Sequence, residues 1–318
     1  MLTVEAGESV VIDTVSHEGL LDDQGADPIG FFGAHGVARE GVLTDAVAIA
    51  ASGGRDAAVD GPHVVTGPVR VRGAQPGDVL AIRVDALDQR VPYGVISNRH
   101  GRGALPEYPA GEGNVSVFAS VDDAGRGVVP LREGSTRSAR FPLAPFLGIM
   151  GVATPGSERV HSVPPGAHGG NIDVKLLTAG STLYLPVRVE GALAYVGDPH
   201  FAQGDGEVSL TALEASLRAR LRFDVIPRER ALAAFGELAG PMGETAEYFV
   251  PTGMHEDLDE AVRECVRASI SLLVARYGMQ PHLAYAYLSA ATDVNISQVV
   301  DIVKGAHARI RKSDFDEG

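Results

Sequence analysis

Residues 213–225 read LEASLRARLRFDV, and apolar and polar side chains alternate along the whole segment. Leu, Ala, Glu and Arg are all good helix formers, but a helix would spread these apolar side chains around its circumference. A spacing of two is instead the pattern of a β-strand with one buried face. The segment therefore predicts a strand, because the pattern outweighs the helical propensity of its residues.

Six further segments have strand character and are separated by turns rich in Gly, Pro and Asp. They are residues 2–10, 64–72, 79–84, 115–121, 183–189 and 192–196. The turn at residues 73–78 predicts a tight connection between two strands, and Glu190 with Gly191 predicts a two-residue hairpin turn. We therefore expect a mainly β fold in which neighbouring strands pair antiparallel.

Helical spacing replaces the strand pattern near the carboxyl end. Apolar residues recur at this spacing over residues 257–277, and Gly278 and Pro281 supply a stop and a restart. We predict one helix over 257–277 and a second over 282–290. Residues 296–310 fit either a strand or a helix, and residues 35–61 fit no pattern. The expected organisation is a single domain over residues 1–318, with a β-rich body at about 1–226 and a helix-containing part at about 227–318.

Composition limits the classes of function that the chain can have. Asp and Glu outnumber Lys and Arg by 41 to 27, so the net charge of −14 disfavours binding to nucleic acid. Cys265 is the only cysteine, which excludes an intrachain disulfide and fits a reducing compartment. The first residues lack the pattern of a secretion signal, and no apolar run reaches about 20 residues. We therefore expect a cytoplasmic protein without a membrane span.

Polar residues that can bind a metal are concentrated in glycine-rich turns at residues 168–173, 197–200 and 203–207. Two predicted strands separate the first turn from the second, and a hairpin of this length would bring both turns to one edge of a sheet. Imidazole and carboxylate groups are ligands for Zn²⁺, although Asp and Asn beside Gly are also ordinary turn residues. The residues alone leave a metal site and plain turns as alternatives.

A metal site of this kind would support hydrolysis. A divalent metal polarises a carbonyl group and lowers the pKa of its bound water toward about 7. A neighbouring carboxylate can take the water proton and pass it to a departing amine. Two other mechanisms are disfavoured, because Cys265 falls on the apolar face of the predicted helix and the chain has no Gly-x-Ser-x-Gly motif.

Several motifs together resemble the acetamidase/formamidase family over most of the chain. They are Gly67-Pro68-Val69, Gly73-Ala74, Pro76-Gly77-Asp78-Val79-Leu80, Pro164, Gly166, His168-Gly169-Gly170-Asn171 with Asp173, Gly180-Ser181, Leu183-Tyr184-Leu185-Pro186-Val187, Gly191-Ala192-Leu193, Gly197-Asp198 with His200, Gln203-Gly204-Asp205-Gly206-Glu207, Ile296-Ser297-Gln298-Val299-Val300-Asp301 and Lys304-Gly305. The resemblance implies an antiparallel β-sandwich-like core with α/β additions, a homo-oligomer and a divalent metal, zinc or calcium. It also implies hydrolysis of formamide, acetamide or a related short linear amide to carboxylate and ammonia.

The resemblance further implies a set of site residues. The expected metal ligands are His168, Asp173, Asp198 and His200, and the candidates for a general base or for support of the ligands are Asp205 and Glu207. Asn171 and Gln203 lie within the same motifs and are further candidates. The polar, glycine-bounded turns at 16–19 and 98–101 independently add His17, Glu18 and His100 as candidates, although a solvated surface turn is the alternative for His17 and His100. No site role is predicted for the remaining histidines without a comparable setting, which are His35, His63, His255, His282 and His307.

Two details concern the size and charge of the substrate. Pro199 and Phe201 flank His200 where family members carry smaller or different residues, which would favour a substrate bulkier than acetamide. Arg99 and Arg102 are candidates for binding a carboxylate product, with a surface ion pair as the alternative. Two other classes of function stay open: hydrolysis of another carbon–nitrogen bond, as in a cyclic amide or an amidine, and non-catalytic binding of a metal or small ligand by a β-sandwich protein.

Overall fold

The computed structural model describes residues 1–56, 59–111 and 113–315. Its strands are β1 (Leu2–Val4), β2 (Ser9–Asp13), β3 (Val65–Val71), β4 (Val79–Gln89), β5 (Tyr93–Arg99), β6 (Asn114–Val121), β7 (Arg126–Pro130), β8 (Ser138–Pro142), β9 (Phe146–Gly151), β10 (Gly169–Asn171), β11 (Thr182–Pro186), β12 (Ala194–Ala202), β13 (Leu213–Glu214), β14 (Leu217–Ile226), β15 (Met242–Glu244), β16 (Tyr248–His255), β17 (Asp293–Gln298) and β18 (Lys304–Arg311). Its α-helices are α1 (Pro28–Ala34), α2 (Thr44–Ser52), α3 (Arg228–Phe235), α4 (Leu258–Tyr277) and α5 (Pro281–Ala291).

The strands form two large sheets. The first has the order β1-β3-β12-β13-β5-β6-β7-β8, with β9 pairing to both β12 and β10, and the second has the order β17-β18-β16-β15-β11-β4-β14-β2. Strand pairs are antiparallel throughout the described residues except for β1 with β3. A mainly β fold with antiparallel pairing, as predicted, is therefore confirmed.

The inner faces of the two sheets share one hydrophobic core. Val196 and Leu147 from the first sheet and Leu183, Leu221 and Phe223 from the second belong to the same buried cluster. Each fully buried Leu or Phe side chain contributes about 1.5–3 kcal/mol through removal of apolar surface from water. Sheet-on-sheet packing of this kind is the predicted sandwich-like core.

Helices near the carboxyl end cover the second sheet. Helix α4 begins after Asp257, whose side chain accepts a hydrogen bond of 3.0 Å from the backbone N–H of Glu260, and it ends at Gly278 with φ of 64°. Strand β16 approaches this helix so closely that a Cβ atom on Gly253 would lie 2.0 Å from the backbone oxygen of Ala261. The predicted helices at 257–277 and 282–290 are confirmed, and no helix in the described part of the chain is long and apolar enough to cross a membrane.

Cys265 packs as predicted on the buried face of α4. Its side chain is fully buried with Ala261, Ala306 and Ala308. Burial raises the pKa of the Cys265 thiol to about 12, so the thiolate that a nucleophile requires is disfavoured.

The segment that predicts a single strand over residues 213–225 is in fact two strands. β13 belongs to the first sheet and β14 to the second, and the chain crosses between them at Ala215 and Ser216. Alternation holds along β14, where Arg218 and Arg220 are exposed while Ala219 and Leu221 are buried. It fails in β13, because Glu214 is also buried.

Two turns were expected to join adjacent antiparallel strands of one sheet, but both of them connect the two sheets. Residues 73–78 lead from β3 in the first sheet to β4 in the second, and Glu190 with Gly191 lies between β11 in the second sheet and β12 in the first. The two connections bond to each other, since Val71 N–H donates to Gly191 O at 2.9 Å and Gly191 N–H donates to Ala74 O at 2.8 Å. The predicted hairpin at Glu190 is therefore wrong.

Other boundaries differ where local pattern was weak. Residues 2–10 contain a turn between β1 and β2, the ambiguous tail forms strands β17 and β18, and the unassigned segment 35–61 contains helix α2, with Ala57 and Ala58 outside the described residues. Helices α1 and α3 were not predicted. Both are short, and such helices depend on packing more than on propensity.

Candidate functional site

The candidate site is built on strand β12. Asp198 and His200 lie two residues apart on this strand, so their side chains project from the same face. His200 Nε2 lies 2.9 Å from Asp198 Oδ2, and both side chains are buried. The pairing of β13 with β12 places Glu214 opposite His200, with 3.1 Å between Glu214 Oε1 and His200 Nε2.

Gln203 determines how the His200 ring presents its two nitrogens. Gln203 Nε2 donates to the backbone oxygens of Asp173 and Ser297 at 3.0 and 3.1 Å, which leaves Gln203 Oε1 to face His200 Nδ1 at 3.1 Å. The proton of a neutral His200 ring is therefore assigned to Nδ1. Its Nε2 lone pair then faces two carboxylates, an arrangement that requires a proton or a metal cation between them.

Two more imidazole rings approach the other carboxylate oxygen of Asp198. His17 Nδ1 lies 3.6 Å and His63 Nε2 lies 3.7 Å from Asp198 Oδ1. The second nitrogen of His17 is 3.3 Å from Glu18, and His63 Nδ1 is 2.9 Å from the Ser162 hydroxyl. Each ring is thus held at one nitrogen and directs the other at the same oxygen, which is the usual setting of a metal-ligating histidine.

Asp173, Glu207 and Asp301 form an acidic group beside His200. Asp173 Oδ1 lies 3.9 Å from His200 Nδ1. Burial and the nearby Asp301 raise the pKa of Asp173 well above its usual value, and burial with Asp173 does the same to the pKa of Glu207. Burial and Glu207 likewise raise the pKa of Asp301. A bound cation would relieve this repulsion.

The histidines around Asp198 respond differently to burial. Burial lowers the pKa of His63 to about 4. Burial also opposes a charge on His17 and His200, but their carboxylate neighbours prevail, raising the pKa of His17 to about 10 and that of His200 well above its usual value. Although burial disfavours the charged form of Asp198, His200 and His63 hold its pKa well below the usual range. Asp198 is therefore an ionised carboxylate surrounded by imidazole rings.

Gly148 of β9 leaves the space in which the carboxylates meet. A Cβ atom at this position would lie 2.4 Å from Asp173 Oδ1 and 2.5 Å from Asp198 Oδ2. Asp173, Asp198 and Glu207 have φ angles of 48°, 51° and 46°, a left-handed conformation that is uncommon outside glycine. Such strain costs about 1–3 kcal/mol per residue and is concentrated at functional sites. Both features indicate an organised site.

The buried charges of this region fit a divalent cation. The six acidic residues that are buried in the described part of the chain all lie here, and no described Lys or Arg is buried. Among the described residues, neither carboxylate oxygen of Asp173 has a hydrogen-bond partner other than the neighbouring carboxyl group of Asp301. Three sets of side chains have their ligand atoms close enough to hold an ion: His17, His63 and Asp198; Asp173, His200 and Glu207; and Asp198, His200 and Glu214. We call these residues, with Asp301, the acid–histidine cluster, and they are compatible with a divalent metal.

The structure brings together most of the residues predicted for the site. Those in or directly beside the cluster are His17, Glu18, Asn171, Asp173, Asp198, His200, Gln203 and Glu207. His168 is not among them: its ring lies against Gly166 and Gly170, and it belongs to no set of potential ligands in the described residues. Strand β10 explains this separation, because His168 precedes it whereas Asp173 follows it.

Two other predicted residues also lie elsewhere. Asp205 Oδ2 is engaged by Lys175 Nζ at 3.1 Å and Asn295 Nδ2 at 2.9 Å, outside the acid–histidine cluster. His100 is exposed, with its Nδ1 3.1 Å from the backbone oxygen of Pro109, as its surface-turn alternative predicted.

Three members of the cluster were not predicted. The single strand predicted over residues 213–225 would place Glu214 on its polar face, but the chain crosses between the sheets at Ala215 and Glu214 is buried. Asp301 lies in the tail whose pattern was ambiguous. His63 follows Gly61 and Pro62 and lies two residues before β3, and this position between a glycine and a strand is a usable signal.

The cluster lies at the inner end of a cavity of about 350 Å³, where Asp198, Glu207 and Glu214 form part of the wall. A larger cavity of about 600 Å³ beside α3 and α4 contains no member of the cluster, so size alone does not identify the site. Pro199 and Phe201 line neither cavity, and Phe201 is fully buried in the core. The expectation that these two residues shape the pocket is therefore wrong.

Sequence comparison identifies the family. The profile of the acetamidase/formamidase family matches residues 48–162 and 152–310, which together are more than half of the chain. This chain belongs to the acetamidase/formamidase family. The match spans every residue of the acid–histidine cluster except His17, which precedes it together with its neighbour Glu18.

Individual relatives agree with the family. The acetamidase of Mycolicibacterium smegmatis is 30% identical over 201 residues, covering 46% of this chain and 49% of that protein. The formamidase of Methylophilus methylotrophus is 29% identical over 202 residues, covering 49% of each protein. The chain thus spans about half the length of the curated relatives that it matches.

The fold matches over a greater length. The crystal structure of an acetamidase from Bacillus halodurans superimposes with a TM-score of 0.76 and 27% identity, covering 99% of this chain and 92% of that one. The two-sheet architecture with helices near the carboxyl end is therefore shared with a family member of known structure.

Proposed function

We propose that this chain is a metal-dependent hydrolase that cleaves the carbon–nitrogen bond of a small linear amide to a carboxylate and ammonia. The observation that supports it most directly is the convergence of three imidazole rings on Asp198 at the inner end of a cavity. Membership of the acetamidase/formamidase family supplies the reaction class.

Four residues are proposed to hold the ion: His17, His63, Asp198 and His200. Asp173 and Glu214 belong to the two neighbouring sets that contain His200, and they lie 3.9 and 3.1 Å from its ring nitrogens. Three imidazole donors favour zinc over calcium, because calcium takes oxygen ligands. When bound, the ion supplies Lewis-acid polarisation of the amide carbonyl.

Asn171 and Glu207 are proposed to act on the substrate itself. Both are buried and line the cavity, and Asn171 Oδ1 has no hydrogen-bond partner among the described residues. A primary amide carries an NH₂ group that can donate to this oxygen and so fix its orientation. Glu207 would take a proton from the attacking water and deliver it to the departing nitrogen.

The test is ammonia release from formamide, acetamide, propionamide and bulkier amides, before and after chelation and with single metals added back. We expect release to stop on chelation and to return with zinc. If lactams tested alongside give ring-opened products and no amide releases ammonia, cyclic amides are the substrates instead. Bound metal without turnover of any amide would favour a binding protein.

A substitution tests the ligand assignment separately. His200→Ala should lower both metal content and turnover, because it removes a donor and leaves Asp198 and Glu214 facing each other. Full metal content with retained turnover in this variant would refute the assignment.

Assembly and location are also proposals. We infer a homo-oligomer from the family resemblance and a cytoplasmic location from the single cysteine, which needs no oxidising compartment. Sedimentation of the purified protein would establish the first, and fractionation of cells would establish the second.

A further inference from the structure

The cavity changes character from its inner end to its mouth. Four carboxyl groups at the inner end are buried: Asp198, Glu207, Glu214 and Asp301. The side chains that are apolar and partly or fully buried are Leu21, Pro62, Val163, Leu210 and Val300. Three arginines, Arg55, Arg99 and Arg102, line the cavity where the chain is more exposed. A ligand that fills the cavity therefore contacts buried acid and imidazole groups, apolar side chains and more exposed guanidinium groups.

The volume of the cavity exceeds what the smallest amides need. A water molecule occupies about 30 Å³ in the liquid, so acetamide, with four heavy atoms, needs roughly 100 Å³. The cavity of about 350 Å³ is several times larger and lies within the range of pockets that bind drug-sized ligands. Acetamide at the inner end would leave the apolar walls and the arginines without a ligand.

The arginines at the mouth are not equivalent. Arg99 holds Asp23 through two contacts of 2.6 and 3.2 Å, and Arg55 lies 3.3 Å from Asp22. Arg102, by contrast, has no ion pair or side-chain hydrogen bond to any described residue. The two aspartates thus balance two of the three cations, and the charge that remains is that of Arg102.

We propose that the preferred substrate is an amide whose carbon chain ends in an anionic group, and that Arg102 binds that group. This inference rests on the proposed amide hydrolysis and names its substrate class. Arg102 attracts an anionic end to the exposed part of the cavity, where no described carboxylate pairs with this arginine. An anionic end bound there directs the amide end of the substrate toward the acid–histidine cluster.

The experiment uses the full chain loaded with zinc and two series of primary amides. One series carries a terminal carboxylate on a methylene spacer of increasing length, and the other has the same chain lengths without charge. We expect kcat/KM to favour the anionic series at one spacer length. In Arg102→Gln this preference should fall about two- to fivefold, the range for an ion pair at an exposed position.

Arg230→Gln is the matched control, because Arg230 is exposed on α3 and does not line the cavity. It should keep the wild-type preference, and Arg102→Lys should restore part of what Arg102→Gln loses. High salt should weaken the preference in the wild type but not in Arg102→Gln.

Two outcomes would overturn this inference but not the proposed amide hydrolysis. One is equal kcat/KM for neutral and anionic amides at every chain length, and the other is a preference that is unchanged in Arg102→Gln. If neither series is turned over, the proposed reaction fails, and calorimetric titration of the anionic amides decides the rest. Binding that weakens in Arg102→Gln but not in Arg230→Gln would still support the anion site, and equal binding by both variants would overturn it.

Discussion

Strands β12 and β14 lie in different sheets and differ in where their polar side chains lie. In β14 the apolar residues face the core and Arg218 and Arg220 face solvent, as a spacing of two predicts. In β12 both faces are buried, and the polar residues Asp198 and His200 are as inaccessible as the apolar ones. Alternation therefore identifies a strand that separates core from water. Polar residues on a strand buried on both faces indicate chemistry, because they need partners that solvent cannot supply.

The largest effect on the buried polar residues of β12 is expected from a substitution in β9, the strand that pairs with β12. Gly148→Ala would place a methyl group about where Asp173 and Asp198 now meet, at 2.4 and 2.5 Å. Because small displacements of catalytic groups cost roughly a hundredfold, we expect turnover to fall by about that factor or more, together with metal content.

Gly33→Ala is the matched control, since a Cβ atom there meets nothing within 4 Å. It should leave metal content and turnover as they are in the wild type. Normal metal uptake by Gly148→Ala would mean that the carboxylates do not need their present spacing.

The core face of β14 should respond in stability rather than in chemistry. Leu221→Ala removes a fully buried side chain, and we expect a loss of about 2–5 kcal/mol in the free energy of unfolding. Urea titration measures the loss. The folded variant should still bind metal with the wild-type stoichiometry, and a loss of metal without a loss of stability would contradict the separation of the two strands.

A smaller effect is expected where Gln203 holds His200. Gln203→Leu removes the acceptor for His200 Nδ1 and two donors to backbone oxygens. Partners of this kind are worth about 10- to 100-fold in metal affinity. Competition with a metal chelator should show that loss, whereas Gln75→Leu, at an exposed position, should bind metal like the wild type.

The smallest effect belongs to the solvent face of β14. Arg218 forms two contacts with Asp13, at 2.6 and 2.8 Å, but its side chain is 56% exposed. Solvent and salt screen such a pair, so Arg218→Ala should lower the free energy of unfolding far less than Leu221→Ala does. A loss as large as that of Leu221→Ala in thermal or urea unfolding would show that this face is not simply solvated.

Sequence pattern predicted the strands and helices better than it predicted which strands meet. The alternation in residues 217–225 and the stop at Gly278 are local signals, and both are confirmed. Glu190 and Gly191 have hairpin residues but lie between two sheets, because sheet membership depends on contacts distant in sequence. The division of residues 1–318 into one domain stays a prediction.

The site residues show the same difference between local signals and contacts distant in sequence. Asp198, His200 and Asp173 were predicted from family resemblance, and the structure places them together. Glu214 could not be predicted, because its burial follows from a change of sheet at Ala215 that no local pattern marks. His168 carried the same local signal as Asp173, yet three residues of strand lie between them.

The acid–histidine cluster draws its members from distant parts of the chain, from His17 near the amino end to Asp301 near the carboxyl end. A nascent chain leaves the ribosome with its amino end first, so His17 emerges long before Asp301. The complete cluster can thus form only after every residue from His17 to Asp301 has been made. A chain that stalls before Asp301 would lack one of the carboxyl groups of the cluster.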